Sequence, residues 1–133
     1  MNPRYDSVAS RARHRCEYCH APEAVFNFPF EVEHIVPLAR DGTDTADNLA
    51  LSCRSCNVRK WAHVEHKDPT TGMTVRLYDP RIDPWGDHFT FDVESGVMTG
   101  LTAVGRATIA RLHMNNPAQT AARQLWIRLG LFP

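Results

Sequence analysis

The chain has little lysine, no unpaired cysteine and no excess of either charge. Fifteen basic residues balance fifteen acidic ones, which argues against a uniformly basic nucleic-acid binder. Thirteen of the fifteen basic residues are arginine, whose planar fork suits bidentate contact with phosphate better than the point charge of lysine. All four cysteines fall into two pairs, so no thiol remains for a redox centre or an intermolecular bridge. No long apolar run and no basic-then-apolar leader is seen, and a soluble, cytoplasmic protein is expected. At 133 residues the length is that of one ordinary domain.

The cysteines are Cys16-Glu-Tyr-Cys19 and Cys53-Arg-Ser-Cys56. Thiolates at this spacing turn back onto one tetrahedral ion, and two such knuckles predict a closed structural zinc site. Disulfides are the alternative, but Cys-x2-Cys twice over is a metal spacing and a reducing compartment is expected. A closed site leaves no position for chemistry, so catalysis must use residues held between the pairs.

Charge is unevenly distributed. Arg4, Arg11, Arg13 and Arg15 face only Asp6 near the start, and Arg106, Arg111, Arg123 and Arg128 follow the last acidic residue, Glu94. Arg54, Arg59 and Lys60 cluster on the second knuckle. Scattered solvated surface is the plain alternative; the position of these clusters around the candidate site favours phosphate contact.

Periodicity predicts a short helix over 2–14, a β-rich stretch from Phe28 to Val36 broken by Pro29 and Pro37, and a loop through Asp41-Gly42. Leu49 to Ser52 can pair back as a second strand. After Cys56 no breaker occurs before Pro69, and Asn57, Lys60, Trp61 and Val64 have helical spacing. Phe89, Phe91 and Val93 alternate, Glu94-Ser95-Gly96 form a turn, and Val97 to Thr99 return as a hairpin. Thr102 is expected to cap a helix to about His113. Asn116-Pro117 should start another, ending near Gly130 with Leu125, Trp126 and Leu129 inward.

Residues 16–60 resemble the HNH endonucleases. The matching residues are Glu33-His34-Ile35-x-Pro37, Asp47-Asn48-Leu49 and Cys53-x-x-Cys56-Asn57-x-x-Lys60. The stretch from Pro80 to Phe91, with Gly100-Leu-Thr and Gly105-Arg-Ala-Thr108, is also similar to small stand-alone bacterial HNH proteins. The resemblance implies a ββα-metal core with a four-cysteine zinc site. It implies His34 as general base, Glu33 and Asn57 as ligands of a catalytic Mg2+ or Mn2+, and Asn48 as the fastener of the loop that aims the imidazole. A neutral imidazole can take a proton from water at working pH, and hard oxygen donors suit those ions. Hydrolysis by one metal would leave 5′-phosphate and 3′-hydroxyl ends. The family more often has aspartate or histidine where Glu33 stands.

Each residue has a plainer reading: His34 a core histidine, Glu33 an exposed strand carboxylate, Asn57 a helix cap, Asn48 a turn residue, Lys60 a solvated lysine. Neighbours on a regular strand face opposite ways, so Glu33 and His34 can share a site only if the strand ends or bends there. Lys60, Arg59, Arg54 and Arg106 are expected to meet phosphate. His88 is expected to be structural, in a half-buried strand.

The expectation is therefore an α+β fold forming one domain over 1–133. The zinc-stapled core spans 16–66, preceded by a helix, and 67–133 add a β-hairpin and two helices. The expected activity is cleavage of DNA, with mainly phosphate-backbone contact and no membrane. The rivals are a non-catalytic zinc-stapled DNA-binding or protein-interaction module and a nuclease acting on RNA. No aromatic stacking platform of the sort used by single-strand readers is evident, which ranks RNA lower.

Overall fold

The computed structural model describes residues 1–133, a mixed α and β chain with three two-stranded antiparallel sheets and five helices. Helix α1, Tyr5–Arg11, buries Val8 and Ala9. It is shorter than its periodicity predicts because Arg13 and His14 take positive φ values of 55° and 54°, which turn the chain into the first knuckle.

Strand β1, Glu31–His34, pairs with β2, Leu49–Ser52, in the register Glu31 with Ser52 through His34 with Leu49. All four residues of β2 are buried, whereas β1 buries only Glu33. The intervening loop makes 3-10 turns at Leu38–Arg40 and Ala46–Asn48. Gly42 crosses the Val36 carbonyl so closely that a Cβ would lie 1.8 Å from its oxygen, so only glycine fits there.

Helix α2, Arg54–Lys60, follows directly, with the Cys53 sulfur accepting from the Cys56 amide at 3.4 Å as its N-cap. The expected run to Val64 stops at Lys60, because Trp61 takes φ 46° and ψ −123°. A hairpin that periodicity did not indicate comes next, β3 (Glu65–Lys67) with β4 (Thr74–Arg76). Its two strands are three residues each and largely exposed, so neither leaves a readable apolar alternation.

Beyond it lie α3 (Trp85–His88) and the hairpin of β5 (Phe89–Phe91) with β6 (Met98–Gly100). His88 therefore ends a one-turn helix rather than sitting in the strand. Helices α4 (Ala103–Leu112) and α5 (Pro117–Arg128) start where the caps predict, Thr102 accepting from the Gly105 amide and Asn116 from the Gln119 amide, each at 3.0 Å. Trp126 packs inward as expected, but Leu125 and Leu129 are 55% and 69% exposed. The inward position belongs instead to Arg123, fully buried and donating to the carbonyls of Gly96 at 2.6 Å and Met114 at 2.8 Å.

One cluster of 21 buried residues, the four cysteines among them, runs from Val8 to Phe132. Helix α4 packs against α2, β3, β4 and β6, so the second half of the chain braces the back of the knuckle helix. No helix is long and apolar enough to cross a membrane.

Candidate functional site

The first knuckle is a tight turn: the Cys16 amide donates to Ala21 O at 3.0 Å, and His20 takes a positive φ of 62°. The second is the β2–α2 junction. Together they bring the sulfurs of Cys16, Cys19, Cys53 and Cys56 within 4.8 Å of one another, all buried. The Cys19 and Cys53 sulfurs are 3.7 Å apart, close to the ~3.8 Å edge of a tetrahedron with Zn–S bonds near 2.3 Å. Burial raises the Cys16 thiol, but hydrogen bonds from the other three outweigh it and lower it, while Cys53 and Cys56 are raised as they share protons with Cys16. Four sulfurs this close cannot all ionise unaided. A divalent cation satisfies all of them, and the donor set suggests zinc.

Beside this staple, β1 ends at His34, which resolves the strand-face conflict: Ile35 and Val36 bend away, and Glu33 and His34 line one open cleft of ≈ 370 Å³ with Asn57 and Trp61. The His34 ring is about one-quarter exposed, and its Nε2 lies 2.9 Å from the Asp44 carboxylate. Asp44 is held below its ordinary carboxylate range by that hydrogen bond and by Arg4. A carboxylate can only accept, so Nε2 donates in this contact, and in a neutral imidazole the free lone pair is then on Nδ1.

Asn48 is buried and uses its whole amide on the backbone. Its oxygen accepts from the Val36 amide at 2.9 Å, and its nitrogen donates to Val36 O at 2.9 Å and Thr43 O at 2.7 Å. The loop from Val36 to Thr43, which ends next to Asp44, is thus tied to the foot of β2.

Glu31 and Glu33 share a face of β1, and α2 lies across it with Asn57 and Lys60 one turn apart. The Asn57 amide nitrogen donates to Glu31. The Lys60 ammonium donates to Glu33 at 3.3 Å and to Ile35 O at 2.8 Å, and the Tyr18 hydroxyl donates to the other Glu33 oxygen. Burial pushes the Glu33 carboxyl above the usual carboxylate range, with Lys60 and Tyr18 pulling it back.

Residues 16–63 match the family model described as HNH endonuclease. Over that stretch, less than half of its length, the chain is similar to HNH endonucleases. That stretch contains all four cysteines, both strands of the first hairpin and α2. No curated protein and no solved structure gives a significant match to the chain. Nuclease activity is the general function the family supports.

The cleft therefore gathers His34, Glu33 and Asn57, with Asn48 behind them, but it does not gather the expected phosphate contacts. Lys60 is only 1% exposed and its charge is spent on Glu33, so neither phosphate contact nor the solvated alternative describes it. Arg106 lies on α4 in a bidentate pair with Asp68, both bonds 2.9 Å. Arg54 and Arg59 are exposed on α2, near Glu31 at 3.5 Å and His113 at 3.1 Å respectively, and remain accessible. Arg4 and Arg11 clamp the loop and strand beside the cleft by donating to the carbonyls of Asp44, Ala46 and Leu49.

Glu31, Asp44 and Tyr18 went unremarked in the sequence. Only Glu31 left a signal, two residues before Glu33 and so on the same strand face. Asp44 and Tyr18 reach the site through the loop and the first knuckle, which no local pattern reports.

Proposed function

We propose that the chain is a metal-dependent endonuclease that hydrolyses DNA phosphodiester bonds, with His34 as general base through Nδ1. The observation that carries this reading is the convergence of His34, Glu33 and Asn57 on one open cleft beside the four-cysteine staple. Glu33 and the Asn57 amide oxygen are hard donors suited to Mg2+ or Mn2+. Such an ion, when bound, supplies charge stabilisation at the phosphate and the departing 3′ oxygen. Nδ1 of His34 accepts the proton of the attacking water, Asp44 fixes the ring's tautomer and aim, and Asn48 holds the loop between them. Arg54 and Arg59 are the accessible phosphate contacts. Products would carry 5′-phosphate and 3′-hydroxyl ends.

One observation favours a second reading, a zinc-stapled module that binds nucleic acid without cutting. Both Glu33 oxygens already have donors, one of them the Lys60 ammonium, so a divalent ion must share that carboxylate with a cation already present.

The test is incubation of the zinc-loaded protein with end-labelled DNA and the matching RNA, with Mg2+ or Mn2+. Metal-dependent cleavage of DNA to fragments that ligase rejoins directly is expected. Fragments ending in 3′-phosphate, or cleavage of RNA alone, would contradict the proposal. A gel shift without cleavage would support the binding module.

A further inference from the structure

Trp61 stands at the lip of the cleft, 75% exposed, in a backbone conformation that tryptophan avoids. Its φ of 46° with ψ of −123° is a turn geometry ordinarily left to glycine, and a bulky side chain there is strained. Nothing within the chain offsets that strain by burial. Its aromatic neighbour is His63, edge-on at 5.9 Å. The other two tryptophans are placed differently: Trp126 is 8% exposed, and Trp85 stacks on His20 and donates its indole N–H to Tyr18 O at 2.8 Å. A free indole face therefore stands next to His34 and Asn57, with the exposed Arg54 and Arg59 on the helix that Trp61 terminates.

We propose that Trp61 is a base-stacking residue, and that the cleft takes a nucleic-acid strand with an unstacked base next to the phosphate it addresses. The inference rests on the nuclease reading for the identity of the cleft and adds a substrate class to it. A flat π-face beside arginine charge suits a ligand that alternates aromatic rings with anions, which is a nucleic-acid strand rather than an apolar peptide. Bases inside an intact duplex are covered on both faces. Stacking on Trp61 thus requires a single strand, a frayed end or a base turned out of the helix. The aromatic contribution comes from one side chain at the end of α2, not from an interleaved platform, which is why no run of aromatics in the sequence announces it.

The experiment measures binding to zinc-loaded full-length protein without added Mg2+ or Mn2+, by fluorescence anisotropy. The probes are a labelled single-stranded 12-nucleotide DNA, the same-length sugar–phosphate strand without bases, and the 12-base-pair duplex. Wild type should bind the base-bearing single strand most tightly. Trp61→Ala and Trp61→Gly should weaken that binding roughly tenfold while leaving the abasic strand unchanged, and Trp61→Phe should retain part of it. Trp61→Gly should also raise Tm, since glycine relieves the strained turn; weaker binding by a more stable protein separates stacking from a structural role.

Equal affinity of wild type and variants for the base-bearing strand would overturn the proposal, as would equal losses on both strands or no binding of either by wild type. These outcomes are distinct from failure of the nuclease reading, since no cleavage is needed. A protein that never cuts yet shows the Trp61 dependence loses the nuclease reading and keeps this one. A protein that cuts with full indifference to Trp61 does the reverse.

Discussion

Lys60 shows how far the meaning of a residue depends on what the fold puts opposite it. Its place one turn after Asn57 was readable from the sequence; its direction was not, because the partner that draws it inward, Glu33, is 27 residues away. Lysine is among the residues least often fully buried unless paired, and here the pairing is with a carboxylate whose other oxygen is held by Tyr18. Removing one member of a buried ion pair strands the other, at a cost of about 3–5 kcal/mol. Lys60→Met is therefore expected to destabilise the fold by that amount in urea denaturation, and Lys60→Met with Glu33→Gln to recover most of the loss. Equal stability of Lys60→Met and wild type would contradict the pairing. Asn48 is the opposite case. The resemblance implied a loop fastener and the Asp-Asn pair a plain turn residue, and all its side-chain bonds go to backbone within one loop.

At the scale of elements, most starts were legible and several ends were not. Caps are short-range chemistry, so Thr102 and Asn116 announce α4 and α5. Ends such as Trp61 depend on a strained turn that no propensity favours, and the β3–β4 hairpin on strands too short and exposed to show a pattern. Cys53 serves two elements at once, as a sulfur of the four-cysteine cluster and as the N-cap of α2. Since the binding energy of a structural metal is folding energy, one zinc per chain is expected by elemental analysis, and Cys53→Ser should lose both the ion and the cooperative unfolding transition. A folded wild type free of zinc would overturn this.

The elements of the second half are tied by acid–base pairs, Arg106 with Asp68 and Arg76 with Asp83 at 2.7 and 2.9 Å. Those hydrogen bonds hold both aspartates below the ordinary value of 3.8. Glu23 is likewise below its ordinary 4.5, burial being outweighed by bonds from Tyr5, Phe30 and His14. A carboxyl lowered in the folded state contributes stability above its unfolded pKa and loses it as pH falls through the folded value. Asp44 and Asp92 are lowered too, while Glu33, raised by burial, runs the other way, so five carboxyls oppose one. Buried His20, lowered by desolvation from 6.5 to about 4, takes up its proton more readily in the unfolded chain, so Tm should begin to fall below about pH 6.5 and fall further through the carboxyl range. A Tm that rises on acidification below pH 4 would contradict these assignments.

At the scale of the molecule, balanced charge proved more informative than clustered charge. The arginine groups that looked like phosphate grips along the sequence are largely consumed within the fold: Arg4 and Arg11 on loop and strand carbonyls, Arg15 on Leu131 O, Arg123 in the core, Arg106 on Asp68. A guanidinium satisfies several acceptors at once, and which acceptors the fold supplies is a long-range matter that spacing does not encode. The cysteine pairs and the HNH motif, by contrast, are local patterns, and the four-cysteine cluster and the family match fall where those patterns lie. The central claim is that this cleft cuts DNA through His34. Its most direct test is plasmid cleavage with Mg2+ and with Mn2+, comparing wild type with a His34→Ala variant that retains zinc and fold. Cutting by wild type and its loss in the variant is the predicted result. Undiminished cutting by His34→Ala, or no cutting by wild type with either metal, would contradict it.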